Sequence, residues 1–100
     1  MSRRAARTDA NHARIRTGLR TVPGVTVRDC SHVGGGFPDL LVGYRKRTIL
    51  MEVKDGAKAA SARKLTPAQV AFHAGWTGSP IWVVETLDQA LDIVLKEGAS

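Results

Sequence analysis

One hundred residues with 43% apolar and 24% charged side chains suit one folded domain with a small core and exclude a disordered tail. Lys and Arg outnumber Asp and Glu 15 to 9, a formal charge of +6, which points to a polyanion partner, nucleic acid before anionic membrane. A single cysteine, Cys30, excludes an intramolecular disulfide and a cysteine-based zinc cluster, and no apolar run reaches the ~20 residues of a membrane span.

The Arg-rich start, MSRRAAR (residues 1–7), lacks the apolar stretch of a signal peptide and reads as a basic arm able to touch phosphates. One domain is expected over residues 8–98. Thr8 or Asp9 is placed to cap a first helix running to about Thr21, with Ile15 and Leu19 on its apolar stripe and Arg14, Arg16 and Arg20 around it. Pro23-Gly24 ends it. Val25 to Cys30 is β-branched and short, hence a strand, and SHVGGG (residues 31–36) is a loop.

Pro38 to Tyr44 and Thr48 to Lys54 read as two apolar strands around an Arg45-Lys46 turn. In that register the paired residue numbers sum to a constant, and Asp39 faces Glu52. Arg-Lys is not a favoured tight-turn pair, so a longer turn and a slipped register stand as the alternative. Residues 56–64 are basic, small and expected to be mobile. Thr66 then caps a helix with Pro67 at its first position and Gln69 at its third, a capping-box pattern. Residues 80–85 (PIWVVE) read as a short buried strand. A last helix from Thr86 places Leu87, Ala90, Leu91, Val94 and Leu95 on one stripe. The expected fold is α/β, a central mixed sheet flanked by helices in the order αβββαβα.

Two neighbouring carboxylates in an apolar sheet repel each other and lose hydration, at several kcal/mol per uncompensated charge. Either Lys54 compensates them as a structural ion pair, or a divalent cation does. One or two carboxylates completed by water and substrate phosphate describe a Mg²⁺ site, which suits phosphodiester hydrolysis beside a basic surface. A lysine next to it is placed to orient water or stabilise charge on phosphorus.

Pro38-Asp39 followed by Glu52-Val53-Lys54 resembles the PD-(D/E)XK nuclease signature. With GGGFPDLLVGYRKRTILMEVKDG (residues 34–56) and LTPAQVAFHAGW (residues 65–76), the chain resembles the VRR-NUC branch, in its small stand-alone form common in phage. The resemblance implies a restriction-endonuclease-like fold and a Mg²⁺- or Mn²⁺-dependent endonuclease acting on branched DNA, flaps or four-way (Holliday) junctions. It implies work as a homodimer in the cytoplasm of a bacterial or phage-infected cell, with no membrane or small-molecule cofactor. Asp39, Glu52 and the Val53 carbonyl are then metal ligands, Lys54 serves the attacking water, and Gln69 supports the site. Gln69 as a capping side chain is an equal reading, and one residue is able to do both.

The family carries a glutamate on the first helix where this chain has Arg14. Asp9 lies about 140° around the helix from that position and Asn11 about 60°, so Asn11 is the nearer substitute ligand. Losing that charge implies weaker metal binding, with low activity, a preference for Mn²⁺ or no activity as outcomes. The alternative is a catalytically decayed, DNA-binding module, and a third reading is a structural adaptor with an internal Asp39/Glu52/Lys54 network. Expected DNA contacts are Arg14, Arg16, Ser31, Gly35, Gly36, Lys58 and Lys64. His12, His32 and His73 read as surface or helix-packing residues, and Trp76 and Trp82 as core.

Overall fold

The computed structural model describes residues 10–99. The capping residues Thr8 and Asp9 and the basic arm lie outside them. Helix α1 (Ala10–Arg20) buries Ile15 and Leu19, and one turn earlier Asn11 and His12. The two polar residues extend the inward stripe because each finds a partner below it. Strands β1 (Val25–Asp29), β2 (Leu40–Tyr44) and β3 (Arg47–Val53) form an antiparallel meander, and β4 (Ile81–Val84) adds in parallel to β3. Helix α2 (Pro67–Gly75) lies in the connection between β3 and β4, and α3 (Leu87–Ala99) closes the chain. The sheet order is β1-β2-β3-β4, a four-stranded mixed sheet with the expected element order.

The period of two along each strand sorts the sheet into two faces. Val25, Leu40, Val42, Ile49, Met51, Val53 and Val84 point to one face, where Ile15 and Leu19 of α1 and Ala90 and Val94 of α3 complete the core. Thr26, Arg28, Leu41, Gly43, Thr48, Leu50 and Glu52 point to the other.

Several details differ from expectation. Strand β2 begins at Leu40, not Pro38, because proline has no N–H for the ladder. Strand β4 is an edge strand with Val83 46% exposed, so only part of it is buried. On α3 Leu95 is 50% exposed and Ile93 packs toward the core instead. Trp76 is exposed, stacked on Phe72, with its indole N–H donating to the Ser79 carbonyl at 2.6 Å. The stretch 56–64, expected to be mobile, contains a 3₁₀ turn (Ala60–Arg63), and Arg63 pairs with Glu85 at 3.4 Å. No helix among the described residues is long and apolar enough to cross a membrane.

The β2–β3 turn holds two residues, with Tyr44 opposite Arg47 and Leu40 opposite Met51. Arg45 and Lys46 carry φ of 51° and 67°, both in the left-handed region that a two-residue type I′ turn demands. The tight register wins although the residues are poor for it, because a slip would turn the apolar sets of β2 and β3 to the wrong face. Arg45 recovers part of the cost by lying over the Tyr44 ring, 5.3 Å from its centroid. Lys46→Gly therefore stabilises the protein by about 1 kcal/mol, since glycine adopts this φ without a Cβ clash. In a thermal melt this raises Tm by about 4–8 °C, and a lowered Tm would contradict the turn.

Candidate active site

The hairpin register carries Asp39 and Glu52 onto the outer face at one end of the sheet. Asp39 precedes the last paired residue of β2, and its Oδ2 accepts from the Val53 N–H at 2.8 Å. The side chain thereby takes over a ladder acceptor where the regular pairing stops. Glu52 is 0% exposed. Burial, a hydrogen bond shared with the Asp39 carboxyl and the Asp39 charge push its pKa up to about 9, with Lys54 working in the opposite direction. At neutral pH the buried Glu52 carboxyl therefore keeps its proton.

Helix α2 supplies the rest. Thr66 and Gln69 form a complete capping box: the Gln69 N–H donates to Thr66 Oγ1 (3.2 Å) and the Thr66 N–H to Gln69 Oε1 (2.9 Å). The same Oε1 accepts from Lys54 Nζ at 2.9 Å, while Gln69 Nε2 donates to Glu52 Oε2 at 2.8 Å. Two donors on the oxygen fix the amide orientation, so the nitrogen must face the glutamate. The capping reading of Gln69 holds, and the same side chain also joins Lys54 to Glu52.

His73, one turn further along α2, places Nε2 3.5 Å from Glu52 Oε1. It was expected only at the surface or in helix packing. Its i, i+4 spacing from Gln69 was the available signal. Asn11, considered as a metal ligand, donates its amide nitrogen to the carbonyls of Lys54 (2.7 Å) and Glu85 (3.0 Å). It ties α1 to the chain just beyond β3 and β4 and so fixes the backbone of Lys54. Arg14 is exposed on α1 and has no recorded contact with the carboxyl pair among the described residues.

The expected nucleic-acid contacts divide into two groups. Arg16 Nη1 donates to Asp29 Oδ2 at 2.7 Å, and the Ser31 hydroxyl and N–H donate to Asp29 Oδ1 at 2.7 and 2.9 Å. His12 joins them, with Nε2 3.2 Å from Asp29 Oδ2. Partial burial raises the Asp29 pKa, but the Ser31 and Arg16 hydrogen bonds and the His12 charge outweigh it and hold the carboxyl well below the ordinary range. These side chains fasten α1 to β1. Lys58, Lys64 and Arg14 are exposed.

Gly34, Gly35 and Gly36 all have positive φ. A Cβ on Gly35 would meet open space, whereas one on Gly36 would lie 2.2 Å from the Ala68 carbonyl oxygen. Gly36 therefore permits close approach to the first turn of α2, the turn that carries Gln69.

The donor set suits a hard divalent cation. Two neighbouring carboxyls, one of them with its pKa raised by burial and by the charge of the other, are a pair whose repulsion a cation relieves, and both are oxygen ligands. Among the described residues no group of three or more His, Cys, Asp or Glu side chains is arranged to hold a metal ion. The remaining coordination positions would fall to water, backbone carbonyl and phosphate oxygen. No protein-family model, curated protein or solved structure matches the chain.

The Glu52 proton sets a pH dependence with a definite sign. Between the ordinary value of 4.5 and about 9 the folded protein holds a proton that the unfolded chain has lost. Stability of the metal-free protein is therefore full below the lower value and falls as pH rises through the upper one. Urea unfolding across this window is expected to show a declining midpoint that Glu52→Gln flattens. An equal decline in wild type and variant would show that Glu52 is not the group responsible.

Proposed function

We propose that this protein is a Mg²⁺- or Mn²⁺-dependent endonuclease of restriction-endonuclease-like fold that hydrolyses DNA phosphodiester bonds, acting on branched DNA such as flaps or four-way junctions. The observation that carries the reading is the unit Asp39, Glu52, Gln69 and Lys54, in which one amide joins the buried Glu52 carboxyl to the Lys54 ammonium while Asp39 lies opposite Glu52 across the hairpin. A purely structural ion pair would place Lys54 directly on a carboxylate. Here its recorded hydrogen bond goes to Gln69.

Asp39, Glu52 and the Val53 carbonyl would hold the ion. A bound divalent cation supplies acidification of water, polarisation of the phosphoryl oxygen and charge neutralisation at the leaving group. The chain's own residues do the positioning. Lys54 has three N–H donors, one directed at Gln69, so two can orient the attacking water and a phosphate oxygen. Gln69 holds Lys54 and Glu52 at a fixed separation, and the α2 cap holds Gln69. Asn11 restrains the Lys54 backbone from α1. The net charge of +6 supplies general attraction for DNA.

Arg14 was the ground for a decayed site. Exposed on α1, it is open to contact a phosphate. Val70 and Val83, 53% and 46% exposed, leave apolar surface beside α2 and β4, which favours a homodimer for a chain with so small a core.

Labelled flap, four-way junction, single-stranded and duplex DNA incubated with Mg²⁺, Mn²⁺ or EDTA tests the activity. Metal-dependent products are expected on branched DNA, reduced about a hundredfold or more in Lys54→Ala. Salt-sensitive binding without products in either metal would replace the enzyme by a DNA-binding module. In sedimentation the protein is expected as a dimer, and a monomer at high concentration would remove the two-fold assembly.

A further inference from the structure

The outer face of the sheet carries more than the carboxyl pair. Strand pairing sets Thr26 beside Gly43 and Gly43 beside Thr48, and in the next row sets Arg28 beside Leu41 and Leu41 beside Leu50. Asp39 and Glu52 follow two residues further along β2 and β3 on the same face. These rows are about 7 Å apart, the advance of two residues along a strand. Helix α2 lies at the Glu52 end, through Gln69 and His73, and α1 and α3 pack on the opposite face. The β1–β2 half of the outer face is left as a groove of about 410 Å³, lined by Thr26, Arg28, Leu41, Gly43 and Thr48 among others.

Gly43 makes the depression. It stands between two threonines, and a Cβ there would come within 2.8 Å of Thr26 Oγ1. The floor is therefore Leu41 and bare backbone, and the rim is two hydroxyls and one guanidinium. Arg28 is exposed and has no carboxylate partner recorded among the described residues.

We infer that this groove is the subsite for unpaired nucleotides adjoining the reacting phosphate. The inference rests on the phosphodiesterase reading above. Charge and continuity select the occupant: the groove opens on the face that carries Asp39, Glu52 and Lys54, and the Arg28 guanidinium, with no carboxylate partner recorded among the described residues, suits a chain of phosphates. Its shape selects a single strand. A trough three strands wide spans about 10 Å, room for one strand with its bases lying flat on Leu41 and Gly43, not for two paired strands. Its volume is that of a small-ligand site. Arg28 takes a phosphate, and the Thr26 and Thr48 hydroxyls take base or sugar oxygens.

The test separates binding from turnover. Fluorescent flap, single strand and blunt duplex are titrated in EDTA against wild type, Arg28→Glu and the double variant Thr26→Ala/Gly43→Leu, with melting curves to establish folding. Affinity for flap and single strand is expected to fall about tenfold or more in both variants, with duplex changed by less than about twofold. Arg28→Glu also reduces the salt slope by about one. A photoreactive thymidine analogue in the flap, next to the reacting phosphate, is expected to cross-link wild type within residues 26–48. This readout decides the matter should the double variant fail to fold.

Unchanged flap and single-strand affinity in Arg28→Glu, with cross-links confined elsewhere, would overturn the groove, while wild-type cleavage would keep the nuclease reading. Equal losses on duplex and flap would overturn the single-strand assignment. Absence of both binding and cleavage of every DNA by wild type would overturn subsite and enzyme together.

Discussion

The structure depends on how a fully buried glutamate is tolerated in a sheet next to an aspartate. Glu52 has no exposed surface, and an ionised carboxylate there beside a second one would cost several kcal/mol. The chain meets that cost with a proton retained on Glu52 and a hydrogen bond from Gln69, and brings His73 close. Each solution constrains another part of the fold. Gln69 must sit at the third position of α2, and Gly36 must lack a side chain so that the glycine loop can reach that turn.

Two separate polar clusters divide the work of holding the sheet to its helices. The Asp29 cluster, with His12, Arg16 and Ser31, fastens α1 to β1 on the core side. Asn11 then bridges α1 to the ends of β3 and β4 through the carbonyls of Lys54 and Glu85. The apolar core between α1, α3 and the sheet fixes the rest. The outer face, by contrast, is shielded by α2 at the Glu52 end and left open over β1 and β2. The carboxyl pair and the open groove therefore share one face, and the apolar core lies on the other.

Much of this was legible in the residues. The β2–β3 register followed from placing a two-residue turn at Arg45-Lys46, and the Thr66-Pro67-x-Gln69 pattern gave both the start of α2 and its cap. Turn propensity argued against Arg-Lys, yet burial of Leu40, Val42, Ile49 and Met51 on the core face overrode it. What was hidden depends on partners distant in sequence. Arg16 and Ser31 read as DNA contacts because their partner Asp29 was not visible from local sequence. Asn11 read as an oxygen donor because the carbonyls of Lys54 and Glu85 are 43 and 74 residues away. Trp76 and Leu95 carry apolar side chains at positions that this single chain leaves exposed, which composition cannot reveal.

On the proposed function, Asp39 and Glu52 together hold a divalent cation. Titration of the isotope-labelled protein with Mn²⁺, followed by paramagnetic broadening of amide signals, tests it most directly. Broadening centred on Leu40, Val53, Lys54 and Gln69, saturating at one ion per chain and lost in Asp39→Asn, is the predicted result. Broadening centred on other carboxylates, such as Asp88 and Asp92 of α3, or unchanged in Asp39→Asn, would contradict it.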